Sequence, residues 1–576
     1  MTESIAKSQK SDFIPPDLEI NGWDDLKPYF DELSGVKLSS AGDLENFLIR
    51  YSEVLSVFFE ANAWAYINMT CHTDNTDFQA RHDIFVEKIS PEVEKATNAI
   101  DKKIAGCPVF GELPLERYTQ FKQKLERDLA LFRDENVPLA AEVAKLSSQY
   151  DQLTGGLTAT IDGEELPLPR ATAKLQSPDR EQRKKAWLAI WSARYAAKPK
   201  ADDLYDAMRK IRQQMALNAG YENFRDFQHD RLQRFDYTPQ DAETFSAAVE
   251  EFVVPLAREI DKRHRDRLGL AEDDYRPWDS QGQPEGQEPL KPFETGTELL
   301  AGAKQIFAKV RPEFGENLQA MDDAGLFDLD SHIGKAPGGY NYPLEVTGMP
   351  FIFMNAAGTQ RDLVTMMHEG GHAMHTFLTN AEPLVHYRSA PSEMAETASM
   401  GMELLTSHLW SQFYSNPADF KRARREHLEG IISFFPWCAT VDSFQHWVYL
   451  NPNHTQEERD DFFENLTGRF ASNLINWTGY EKYRRNLWQA QLHIFGLPFY
   501  YIEYGIAQLG ALQVYRNYRK NAHTGLEGYI RGLSLGSALA LPEVWNEMGI
   551  RFDFSAKTIR ELMQFVQEEL DALEDN

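Results

Sequence analysis

A mainly α fold, with small β elements beside one chemistry-bearing helix, is what this sequence predicts. Three observations carry that expectation. Apolar residues recur three and four apart over long stretches, as in Leu44, Phe47, Leu48, Tyr51, Leu55 and Phe58, which is helical spacing. Two stretches, Leu157 to Leu166 and Lys335 to Asn355, change to strand-and-turn grammar. Between the second of these and the next helical region lies Arg361 to His375, RDLVTMMHEGGHAMH, centred on H-E-x-x-H.

The length of 576 residues, 42% of them hydrophobic, exceeds one ordinary core, so two or more lobes are expected. The start, MTESIAKSQKSDFIPP, has no apolar core of a signal peptide and reads as a tail as far as Pro15-Pro16. No apolar run approaches the roughly 18 residues of a membrane span. The net charge of −28 argues against nucleic acid or an anionic membrane as partner, since both would repel it. Cys71, Cys107 and Cys438 are scattered and form no paired motif, which suggests a reducing, cytoplasmic setting.

Along the chain, Asp43 to about Lys145 reads as long helices. Asp162-Gly163, inside Leu157 to Leu166, signals a hairpin. Helical patterning resumes near Asp179 and runs to about Asp261. Ala271 to Thr297, rich in Pro, Gly, Gln and acids, reads as a surface connection that Arg276-Pro277-Trp278-Asp279 would anchor. Helix returns at about Gly296. Phe351 to Asn355 is the best strand in the chain and immediately precedes the H-E-x-x-H helix; one reading of it is an edge strand to which a peptide could add as a further strand. A small structural sheet is the alternative.

On a helix His368 and His372 lie one above the other and present two imidazoles to one point, as a metal ion requires. Glu369 projects beside them, where it can take a proton from an activated water. Gly370 and Gly371 each cost a helix about 1 kcal/mol relative to alanine, so they need a reason, such as a close backbone or a metal site. His375 shares the stripe, but three side chains from one straight helix do not surround an ion. Leu378 stands where a metzincin would carry its third histidine. The third ligand is therefore sought downstream, where Glu393, Glu396 and Glu403 lie on a second helix. Pro391 suits its first turn, with Ser389 or Ser392 as cap.

With Ala395-Glu396-Thr397-Ala398-Ser399 and Glu403 following His368-Glu369-Gly370-Gly371-His372, the chain resembles the oligoendopeptidase F and thimet oligopeptidase family of zinc metallopeptidases. Lys335 to Tyr340, Phe351 to Asn355 and Pro498 to Tyr504 add to the resemblance, which is densest from about Tyr275 to Gln508. It implies a clam-like, two-lobed helical body, with an N-terminal lobe over residues 1–200 and a catalytic lobe over 201–576, facing each other across a channel. It implies one zinc ion per chain held by His368, His372 and Glu396, with Glu369 as general base, and short peptides cut at internal bonds. Ser399 and Glu403 would support the ligands. The family also carries a histidine and spaced tyrosines that reach the metal-bound substrate. Here these are His493, Tyr500 and Tyr504, with Tyr501 beside them, and a phenol that keeps its proton can stabilise the oxyanion. Two other readings share the motif: a metallocarboxypeptidase on a similar scaffold, which needs a site for a substrate terminus, and a non-catalytic helical binding protein with a structural metal, for which Glu369 has no use.

Overall fold

The computed structural model describes residues 13–15 and 17–575. The fold is mainly helical and two-lobed. Its first long helix, α1 (Ala41–Cys71), starts at Ser40, whose hydroxyl accepts the Asp43 N–H at 3.1 Å. Helix α1 buries two faces. Phe47, Tyr51 and Leu55 enter a smaller N-terminal core with Phe30, Phe85 and Phe121. Ala63, Ile67 and Cys71 enter the larger core that fills most of the rest of the molecule, apart from a small third core around Trp187 and Trp278. A helix apolar on both sides is a wall between two cores.

The N-terminal tail expected through Pro16 ends earlier. Residues 1–12 and Pro16 lie outside the described residues, but Ile14 is 1% exposed within the smaller core, and the Arg50 guanidinium lies 3.9 Å over the Phe13 ring. An apolar pair at the end of a polar segment gains by closing a core it can reach.

Strands β1 (Thr158–Ile161) and β2 (Glu164–Pro167) form an antiparallel hairpin. Its two turn residues, Asp162 (φ 52°) and Gly163 (φ 89°), are both left-handed, the turn for which Asp-Gly is suited. Helix α2 (Arg180–Asn218) follows. The connection before Gly296 is anchored at its Arg-Pro-Trp-Asp sequence: Asp279 is fully buried and pairs with Arg180 at 2.8 Å and Arg183 at 2.9 Å.

Strands β3 (Phe327–Asp330), β4 (Tyr340–Leu344) and β5 (Met349–Ala356) form a sheet in the order β3-β5-β4. β5 runs parallel to β3 and antiparallel to β4. Phe351 to Asn355 is therefore the central strand, and β4 is the edge near the metal helix. The reason lies in the run itself: Phe351, Ile352, Phe353 and Met354 are all buried, and consecutive apolar residues suit a strand covered on both faces. Helices α3 (Gln360–Thr379), α4 (Ser392–Thr406), α5 (Pro417–Leu450) and α6 (Tyr501–Lys520) complete the frame of the site. No helix among the described residues is long and apolar enough to cross a membrane.

Candidate active site

Strand β5 delivers the chain to α3 through a short turn closed by a capping box. The Thr359 hydroxyl accepts the Asp362 N–H, and the Asp362 carboxylate accepts the Thr359 N–H at 2.8 Å. The paired glycines of α3 are explained by what lies against them. A Cβ on Gly371 would sit 2.7 Å from the Ser399 Cα and 2.9 Å from the Ala398 carbonyl oxygen. One on Gly370 would sit 2.3 Å from the Phe307 ring. Helices α3 and α4 thus approach backbone to backbone at the turn that carries the histidines. Pro391 precedes α4 rather than lying in its first turn, and neither Ser389 nor Ser392 caps it.

That approach brings His368, His372 and Glu396 together, with one donor atom of each within 4.8 Å of the others. His368 Nε2 is 3.2 Å, and His372 Nε2 3.6 Å, from Glu396 Oε2. Two imidazoles and a carboxylate converging from two helices are the donor set of a zinc site with an open position. His368 Nδ1 is 2.7 Å from Glu403 Oε1, and His427 Nε2 lies 3.9 Å from the other oxygen of Glu403. The Ser399 hydroxyl donates to Glu396 Oε2 at 3.2 Å and to the Glu396 carbonyl at 3.0 Å. Burial opposes charge on His368, but its bonds to Glu396 and Glu403 outweigh this and raise its pKa well above the usual imidazole value. Burial likewise opposes the Glu396 carboxylate, yet His372 and His368 hold its pKa well below the carboxylate range.

Glu369 is 5% exposed, and its Oε2 is buried without a hydrogen-bond partner. Burial pushes its pKa up, against the pull of His368 and His372. A Cβ on Gly339 would lie 3.5 Å from Glu369 Oε1, so the start of β4 passes directly beside this carboxylate. Asn341 of β4 donates to the Glu369 carbonyl at 3.4 Å.

The downstream aromatic residues also reach the cluster. The Tyr500 hydroxyl donates to Glu396 Oε1 at 2.6 Å. The Tyr504 oxygen lies 3.0 Å from His493 Nε2, and the two tyrosine rings are 5.2 Å apart. Burial raises both phenol pKa values well above 10 and lowers His493 to about 4. The Tyr501 ring packs against His493 at 5.2 Å, Tyr504 at 5.3 Å and Phe434 of α5 at 6.0 Å. His375 is buried away from the cluster with Nε2 unpartnered, and Glu393 accepts the Tyr237 hydroxyl at 2.6 Å.

Sequence reading missed four supporting residues. Gln491 and Trp437 stand behind His493. Arg234 pairs with Glu503 at 2.6 Å and donates to the Phe499 carbonyl, while Gln445 accepts the Phe499 N–H at 2.8 Å. These bonds hold Phe499 in a left-handed conformation (φ 66°) immediately before Tyr500. No short motif announces such contacts. The only local sign is Pro498, which punctuates the chain ahead of α6.

Fold and site together are those of a helical peptidase, and the comparisons agree. Residues 173–564 match the model of Peptidase family M3, and residues 17–132 match the Peptidase M3 N-terminal domain. The chain belongs to peptidase family M3. It is 26% identical over 273 residues to an oligoendopeptidase F homolog of Mycoplasma genitalium, covering 43% of each chain. It is 24% identical over 293 residues to the chromosomal oligoendopeptidase F of Lactococcus lactis subsp. cremoris, covering 48% of this chain and 46% of that one. The matched segments thus span somewhat less than half the length of these curated relatives. Over the whole fold, the solved structure of PZ peptidase A with an inhibitor superposes with a TM-score of 0.92 at 26% identity, covering 96% of this chain and 98% of that one.

Proposed function

We propose that this chain is a zinc-dependent endopeptidase that hydrolyses internal bonds of short oligopeptides. The observation that carries the proposal is the convergence of His368, His372 and Glu396 beside the buried, unpartnered Glu369 carboxylate. A structural metal has no need of such a base, whereas hydrolysis does. Zinc held by these three residues would supply Lewis-acid activation of a water and polarisation of the scissile carbonyl.

The chain's own residues supply the remaining chemistry. Glu369 takes the proton of the attacking water and passes one to the leaving amine, and its raised pKa suits both transfers. Glu403 on His368 Nδ1 orients the ring and directs Nε2 toward the cluster. Tyr500 and Tyr504 keep their protons at neutral pH, and at least one donates to the oxyanion. An extended peptide would align along edge strand β4, whose start adjoins Glu369. The three unpaired cysteines fit a reducing, cytoplasmic setting.

The test is incubation with a short internally quenched peptide, with and without chelator, followed by mass analysis of the fragments. Internal cuts that chelation stops and zinc restores are expected. Release of terminal residues alone would instead support a carboxypeptidase.

A further inference from the structure

The hydrogen bonds behind His493 determine which of the two tyrosines has a proton to spare. Trp437 Nε1 lies 3.0 Å from Gln491 Oε1. An indole N–H can only donate, so the Gln491 oxygen must face it and the amide nitrogen must face the other way. That nitrogen lies 2.7 Å from His493 Nδ1. An amide nitrogen can only donate, so Nδ1 must be the bare, accepting nitrogen of a neutral imidazole. The ring proton is then on Nε2, which lies 3.0 Å from the Tyr504 oxygen and donates to it.

Tyr504 therefore receives a hydrogen bond from His493 and keeps its own O–H uncommitted. No other hydrogen-bond partner of the Tyr504 oxygen is found among the described residues. Tyr500 is in the opposite position. Its only acceptor among the described residues is Glu396 Oε1 at 2.6 Å, and a carboxylate can only accept, so the Tyr500 proton is committed.

We infer that Trp437 and Gln491 are positioning residues that lock His493 as its Nε2–H tautomer, making Tyr504 the oxyanion donor and leaving Tyr500 to orient Glu396. This rests on the peptidase reading above and deepens it. The two phenols, equivalent by helix spacing, acquire different tasks. A donor whose proton is already free when charge develops needs no rearrangement in the transition state. A phenol bound to a ligand carboxylate instead fixes that carboxylate for the metal.

The first test needs neither turnover nor a variant. In protein labelled with 15N-histidine, the resonances of His493, assigned by their absence in His493→Gln, should show at pH 7.5 a protonated Nε2 and a bare Nδ1. A proton on Nδ1 overturns the inference. The second test is kinetic, on zinc-loaded enzyme. Gln491→Met removes the lock and should lower kcat roughly tenfold, a fraction of the hundredfold for losing the donor outright, with KM within about twofold. In a Tyr504→Phe background Gln491→Met should lower kcat no further. An equal loss in both backgrounds would show that Gln491 acts by some route other than Tyr504. Tyr500→Phe should weaken zinc about tenfold in chelator competition, and Tyr504→Phe should leave zinc affinity unchanged. The reverse pattern would overturn the division of roles. If the zinc-loaded native enzyme cuts no peptide, the peptidase reading fails, while the histidine spectrum still decides the tautomer lock.

Discussion

Substituting Gly371 by alanine sets two effects against each other. Alanine is the better helix former by about 1 kcal/mol, so on a free helix the change would stabilise. Here the new methyl carbon would stand 2.7 Å from the Ser399 Cα, where ordinary contact begins at 3.4 Å, and 2.9 Å from both the Ala398 carbonyl and Met402 Cβ. Two of those three atoms are backbone and cannot swing away. Helix α4 must therefore retreat by about 0.7 Å. Overpacking of this kind costs roughly 1–3 kcal/mol, so after the helix gain the net loss of stability is at most about 2 kcal/mol. The larger consequence is at the site. Glu396 rides on α4 and His372 is the next residue after Gly371 on α3, while zinc sites tolerate ligand shifts of only about 0.2 Å. Zinc affinity, measured by chelator competition, should fall at least tenfold, with little change in thermal midpoint. Native zinc affinity together with a raised midpoint would refute the reasoning, because it would mean that the helices are not in obligatory contact there.

Further outcomes follow from the same geometry. Glu396→Ala should strip zinc on dialysis, while His375→Ala should keep it; Glu393→Ala should also keep it but lose stability, because it leaves Tyr237 unpaired. Metal analysis after dialysis decides between the three carboxylate and histidine roles. Peptides of roughly twenty residues or fewer should be cut and a native folded protein spared, since on the proposed binding mode a substrate lies extended along β4. Burial between Tyr51 and Phe121, with Lys124 adding to the effect, lowers His386 to about 4, against roughly 6.5 in an unfolded chain. The unfolded state then binds the extra proton, so stability is present above pH 6.5 and is lost as the pH falls toward 4. Denaturant titrations over that window should show His386→Phe flattening the slope by about 1 kcal/mol per pH unit; an unchanged slope would remove His386 from the account.

Much of this was legible from residue spacing. The four-residue step from His368 to His372 and the helical rhythm of Leu44 to Phe58 are periodicities that no tertiary context needed to supply. The hairpin at Asp162-Gly163 was legible because few sequences adopt two left-handed residues in succession. What spacing left open was the choice among Glu393, Glu396 and Glu403, which lie on one short helix. The structure parts them by neighbour: Tyr237 for Glu393, the two histidines for Glu396, and His368 Nδ1 for Glu403. Of the two readings open for Phe351 to Asn355, the place in a small structural sheet is the one found, at its centre and not at its edge, because an unbroken apolar run suits a strand covered on both faces. Trp437 and Gln491 were beyond reach for a different reason. Their contact spans 54 residues, and nothing in either segment marks a hydrogen bond whose effect is felt only two side chains further on.

The central claim is that Glu369 moves the proton of a reaction assembled at His368, His372 and Glu396. Glu369→Gln preserves the shape of the side chain and removes its basicity, and zinc content and peptide turnover measured on the same preparation test the claim most directly. One zinc per chain with turnover reduced to background is the predicted result. Near-native turnover by that variant would contradict the mechanism.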